Sequence, residues 1–345
     1  MIFSAFFLFF CICFLYLFDD GKWSSEKRKK SILIFVWLIL VVIVTFRPSE
    51  MPDYGNYLSI FKSGKHYRGE IGFVKIIQVI RIFTKDPLFL FGIFASVSIA
   101  IKLWAISKMS HFVWLSLSIY ISNILILHDM IQIRCAVASG LLLVAIKYVY
   151  ERNLLKFVLV SGIALLFHNS AIIIFPLWFL NIKRPQKRVF ILLIPVAYLL
   201  AISGQLFGNY AQYLQIESFQ RLWYMYQRRM EFGVGNEINI FNYLHIARCL
   251  ICMFLIYKIE MLSIYNRMTI ILVKVYTISL TAFVLLSDIP VMAFRVSELY
   301  QVVEILLIPM LVYTYKGHYT FARVIPMIIG LAFLLINTFY LRLLL

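Results

Sequence analysis

Apolar runs follow one another from end to end of the chain, separated by short polar stretches. They occupy residues 2–18, 31–46, 88–106, 112–127, 135–150, 157–180, 189–203, 240–257, 268–286, 296–315 and 324–341. A helix needs about 20 predominantly apolar residues to cross a bilayer, fewer where its ends are shielded. The pattern therefore predicts transmembrane helices. The first run has no basic residue before it and no small-residue cleavage site after it, so it is expected to be a span and not a signal peptide. Residues 157–180 carry His168, Asn169 and Ser170 near the middle and basic residues at both ends, Arg152 and Lys156 before, Lys183, Arg184, Lys187 and Arg188 after. A single crossing would leave one basic loop outside, so two short helices meeting near His168 are expected. Irregular backbone at that depth is tolerated only where protein encloses it. Residues 71–83 place Lys75, Gln78 and Arg81 at helical spacing, which predicts an amphipathic helix on the outer face. The fold expected is all-α and polytopic, with about twelve crossings, two of them short. It forms one integral membrane domain over 1–345, with outer loops at 47–70 and 204–239.

Composition sharpens this reading. Of 345 residues, 63% are hydrophobic and 14% charged, and mean hydropathy is +0.89. A soluble domain is about half apolar and a quarter charged, so a soluble enzyme is excluded. The 33 Lys+Arg against 16 Asp+Glu give a net charge of +17, which in a membrane protein first reports orientation. Lys22 and Lys27 to Lys30 place residues 19–30 in the cytoplasm, and the later basic loops agree. No polar domain exists to spread charge over nucleic acid, so none is expected as a partner. The five cysteines sit in or beside apolar runs, so neither disulfides nor a metal site is expected.

With that orientation, Arg47, Asp53, Glu70, His128, Asp129, Arg134, His168, Arg221, Arg228, Arg229, Asp288, Arg295 and Glu298 all fall on the outer side. The turn holding His128, Asp129, Gln132 and Arg134 is expected to be external. An ionisable group within a membrane segment costs about 2.5 to 3.5 kcal/mol on insertion scales, which makes such groups functional candidates. Arg134 opens an apolar helix, and its planar fork suits phosphate oxygens. Arg221, Arg228 and Arg229 lie among tyrosines and Trp223, a mixture that suits sugar rings and phosphates. Nucleophile triads, phosphate-binding glycine loops, dinucleotide fingerprints and zinc spacings do not occur, so any chemistry rests on Arg, carboxylates and His.

Arg47 with Asp53, Tyr57 and Phe61, then Glu70 to Phe73, Arg134 to Ala138, Phe167 to Ser170 and Arg295 to Tyr300 occur in this order on a polytopic chain. In that order they resemble the EpsG/Wzy-type polysaccharide polymerases, over most of the chain. The resemblance implies a bacterial inner-membrane glycosyltransferase, similar to the metal-independent branch of GT-C enzymes and acting at the periplasmic face. It would transfer a growing glycan from undecaprenyl diphosphate to a sugar hydroxyl of a new lipid-linked repeat unit, without a cofactor. The glycan could be O-antigen of lipopolysaccharide, capsule or exopolysaccharide. Partners would be the lipid-linked oligosaccharide and the bilayer, with a flippase and a chain-length regulator as further candidates. The expected substrate-binding residues are Arg47, Tyr57, Glu70, Arg134, Arg221 and Arg295. Asp53 is the first choice of base, because it shares a short loop with Arg47; His168 and Glu298 are the others. A lipid-linked oligosaccharide flippase and a membrane O-acyltransferase remain the alternative functions.

Overall fold

The computed structural model describes residues 2–17, 26–63, 69–204, 224, 228, 238–315 and 319–344, and among them every regular element is helical. Arg221, Arg229 and most of the expected outer loop 204–239 lie outside the described residues. Five helical stretches are long and apolar enough to cross a membrane: Leu88–Met109, Val113–Ile131, Ile133–Tyr150, Pro290–Thr314 and Ala322–Tyr340. Others, such as Ile2–Leu17 and Leu154–Phe167, are equally apolar but shorter. Helix length and apolarity thus support a membrane protein, with five candidate spans among the described residues against about twelve crossings expected. Large apolar side chains face outward in stripes, as with Phe3, Phe7, Phe10 and Phe14 along one side of the first helix. Water would not tolerate so many; lipid would.

The chain divides into two compact units, 1–178 with 304–345, and 179–303. In the first, α1 (Ile2–Leu17), α2 (Glu26–Thr45), α3 (Tyr54–Ser63), α4 (Ile71–Phe83), α5 (Leu88–Met109) and α6 (Val113–Ile119) precede a π-helix, Tyr120–Ile131. Next come α7 (Ile133–Tyr150) and α8 (Leu154–Phe167). The expected break falls at His168, after which Asn169–Phe179 continues as a 3-10 helix with Pro176 inside it. α5 packs on α2 and α7, α7 on α8, and α4 on α8. The stretch Val113–Ile131 is enclosed by protein over 94% of its apolar window, so it can hold polar side chains away from lipid at low cost. It does so. His128 and Asp129 are not in an external turn as the sequence suggested but inside the π-helix and fully buried.

Gly72 fixes how closely α4 approaches α8, since a Cβ there would lie 2.9 Å from the Leu166 carbonyl oxygen. Gly72→Ala must push two backbones apart and should cost about 1–3 kcal/mol. Glu70 and His168, each two residues from that contact, would separate. A lowered melting temperature together with impaired function would confirm it, and a neutral Gly72→Ala would deny the close approach.

In the second unit, Thr269–Leu285 packs against Lys187–Ile202, Tyr243–Tyr265 and Pro290–Gln301. Ala197, Phe283, Val284 and Ala293 form part of its core. Lys274 is buried there and donates to the carbonyls of Asn181 at 2.7 Å and Arg184 at 2.8 Å.

Candidate active site

Five segments of the first unit bring their polar residues together. α3 contributes Tyr57, and Glu70 precedes α4 in extended conformation. Its side chain makes no cap bond to that helix, which leaves the carboxylate for Arg134 in the first turn of α7. Arg134 Nη1 donates to Glu70 Oε2 at 2.6 Å. A cation at a helix N-terminus opposes the helix dipole, and the Glu70 carboxylate offsets this. The other oxygen, Oε1, stands 3.8 Å from His168 Nδ1. His168 ends α8 in extended conformation, with its N–H bonded to the Ala164 carbonyl. Arg134, Glu70 and His168 therefore form a row with the carboxylate in the middle, and Glu70 and His168 are only 8% and 9% exposed.

Aromatic rings shape the surroundings. The Arg134 guanidinium carbon lies 5.7 Å from the Tyr57 ring centroid and 5.4 Å from that of Phe73. Phe73 meets Phe94, and Phe94 meets Phe167, edge to face. Burial pushes the Tyr57 hydroxyl up to about 12, opposed by its hydrogen bond and charge contact with Arg134. It stays neutral and accepts from Arg134.

Arg47, just beyond α2, is 5% exposed. Its Nη1 donates to the carbonyls of Met130 and, at 3.2 Å, Asp129, and the guanidinium lies 4.4 Å over the Phe91 ring. Burial lowers it to about 10, countered by Tyr57 first and Asp129 next; it stays charged at neutral pH. Among the described residues neither its Nε nor its Nη2 has a hydrogen-bond partner. Leaving donors of a buried cation unmatched is expensive, and Arg47 has these two groups to offer an acceptor.

Sequence reasoning missed what holds Arg47 in place. Lys102, in the middle of α5, and Asp129 are 0% and 1% exposed. Lys102 Nζ reaches both Asp129 oxygens at 2.9 and 3.0 Å and the Ala136 carbonyl at 2.8 Å. Ser98 and Tyr120 donate to the same carboxylate at 2.5 and 3.0 Å. Beside it, His128 Nδ1 contacts the Ser139 hydroxyl at 3.0 Å, and the ring is within electrostatic reach of His168. The signal was present as a lone Lys in an apolar run.

Of the remaining sequence candidates, Asp53, Arg295 and Glu298 are among the described residues. Asp53 is exposed, has a left-handed φ of 63°, and accepts from Asn56 at 2.9 Å. It borders the cluster only through its electrostatic contact with Tyr57. Arg295 and Glu298 belong to the second unit, on the helix Pro290–Gln301, where Arg295 is exposed and Glu298 half-buried.

The EpsG family model matches residues 30–343, nearly the whole chain. The chain belongs to the EpsG family. Searches of curated proteins and of solved structures returned no match. Family membership points to a glycosyltransferase-like, polysaccharide-polymerising function. In this EpsG-family protein, the Arg134, Glu70 and His168 row and Arg47 are the groups suited to such chemistry.

Proposed function

We propose that this protein is a polysaccharide polymerase that transfers a growing glycan from undecaprenyl diphosphate to a sugar hydroxyl of a new lipid-linked repeat unit, at the periplasmic face of a bacterial inner membrane. The observation that carries the reading is the Glu70 carboxylate set between Arg134 and His168, with Arg47 buried nearby. The acceptor oxygen attacks the anomeric carbon while the bond from that carbon to the diphosphate oxygen breaks. His168 takes the hydroxyl proton, and Glu70 orients the ring and stabilises its cationic form. The leaving diphosphate carries the electron pair away, and Arg47 and Arg134 meet its growing charge. Arg221 and Arg295 belong to the same proposal as further diphosphate ligands, and Glu298 as a further polar group near the acceptor. Roughly twelve crossings and a GT-C-like, metal-independent architecture complete the reading.

Asp53 moves from first to last choice of base, because its carboxylate is exposed and engaged by Asn56. Asp53→Asn should leave chain extension within about threefold of wild type, well short of the loss expected of a general base. Reconstitution with a lipid-diphosphate repeat unit, with and without chelator, tests the whole proposal. A ladder of glycans and released undecaprenyl diphosphate in both arms supports it. In a deletion strain, single repeat units still attached to their carrier support it too. Units trapped in the cytoplasm would instead indicate a flippase, and full-length chains lacking acyl groups an O-acyltransferase.

A further inference from the structure

Far from the Glu70 cluster, the first unit holds a cavity of about 390 Å³ between α2 and α5. The two helices run antiparallel, so the first turns of α2 meet the last turns of α5. Lys29, Lys30 and Lys108 stand together at one end of the cavity. Below them, Leu33, Trp37 and Trp104 form apolar walls. The Trp37 indole N–H donates to the Ser96 carbonyl at 3.0 Å, which fixes that wall. Trp104 is 40% exposed and turns its outer edge to the surroundings.

Lysines at helix ends ordinarily only orient a membrane protein. Here they crown a cavity that turns apolar along the two helices, with Leu33, Ile34, Leu103 and Trp104 next to the cations and Trp37 and Ala100 further in. A free anion would find the rim attractive and the floor hostile. A hydrocarbon chain alone would leave three ammonium groups unmatched. A phospholipid with an anionic headgroup satisfies both halves. The volume suits a headgroup and the upper part of an acyl chain, within the usual range of ligand sites. Among the described lining residues Glu26 is the single acid, and its 3.9 Å contact with Lys30 is between largely exposed side chains, so the balance among them stays positive.

We propose that this cavity is a binding site for one anionic phospholipid of the bilayer. Arg47 lies beyond the other end of α2, a 20-residue helix about 30 Å long. The lipid is therefore held at the opposite leaflet from the proposed polymerase site, and its binding is independent of what that site does.

The test uses the full chain purified from vesicles of phosphatidylglycerol with phosphatidylethanolamine, or of phosphatidylcholine alone, and native mass spectrometry. One phosphatidylglycerol should remain per chain through detergent exchange, and phosphatidylcholine should not. Excess inorganic phosphate should fail to displace it. Lys29→Gln/Lys30→Gln/Lys108→Gln should weaken retention about 100-fold, from roughly 1 kcal/mol per lysine. Ala100→Trp, at an exposed lining position, fills the cavity without changing charge, and should weaken retention at least tenfold. Both variants alter exposed or partly exposed residues, and an unchanged melting temperature verifies folding. Equal retention of both lipids, displacement by phosphate, or undiminished retention by Ala100→Trp would each overturn the proposal, the last by reducing the effect to surface charge.

Discussion

His168→Ala should slow chain extension by about 100- to 10,000-fold, the ordinary contribution of a positioned general base. The loss should fall on kcat, with little change in KM for the lipid-linked donor, because the imidazole is placed to act on the acceptor's proton and not to hold the diphosphate. Glu70→Gln should also lose most activity while keeping the shape of the residue. It takes away the charge that stabilises a protonated His168 and leaves the Arg134 cation without the carboxylate 2.6 Å away. Initial rates in reconstituted vesicles measure both effects. A His168→Ala enzyme with wild-type rates would remove His168 from the mechanism.

The second large effect concerns stability. Lys102→Met should destabilise the protein by about 3–5 kcal/mol, because it strands the Asp129 carboxylate in a protein interior. Ser98 and Tyr120 still donate to that carboxylate, but neither supplies a countercharge. Lys102→Met/Asp129→Asn should recover more than half of the loss, since removing both charges is far less harmful than removing one. Thermal unfolding in detergent reads both variants, and a Lys102→Met protein as stable as wild type would show that the pair contributes nothing. The damage should also reach the anion site. The carbonyls of Asp129 and Met130 hold Arg47, so the folded fraction of Lys102→Met should show a raised KM for the lipid diphosphate.

Much of this arrangement was legible in residue order. Runs of apolar residues announce helices, and the polar run His168, Asn169 and Ser170 within 157–180 marked the break at His168. Glu70, Arg134, Tyr57 and Arg47 were recognisable as polar residues abutting apolar helices, and the structure brings the first three together with His168. The buried half of the site was not legible, for two physical reasons. Hydropathy treats a charged residue as the end of a span, so Asp129 looked like part of a turn, whereas Lys102 on another helix neutralises it within the protein. Backbone direction was also hidden. Asp53 was favoured for its nearness to Arg47 in the chain, yet its left-handed backbone precedes α3 with the side chain exposed. Nearness in sequence did not become nearness in chemistry.

The π-helix Tyr120–Ile131 gives this site an unusual sensitivity to length. Its i to i+5 bonding closes each ring over one residue more than an α-helix does, and runs beyond a single turn are rare. Deleting any one residue between Ile121 and Ile126 without a change of bonding pattern would turn everything after it by roughly one residue's rotation, on the order of 100°, and nothing in its hydropathy would look altered. Asp129 would leave Lys102, and the carbonyls that receive Arg47 would turn with it. For this family member, the spacing between Tyr120 and Asp129 carries information as specific as the identity of either residue.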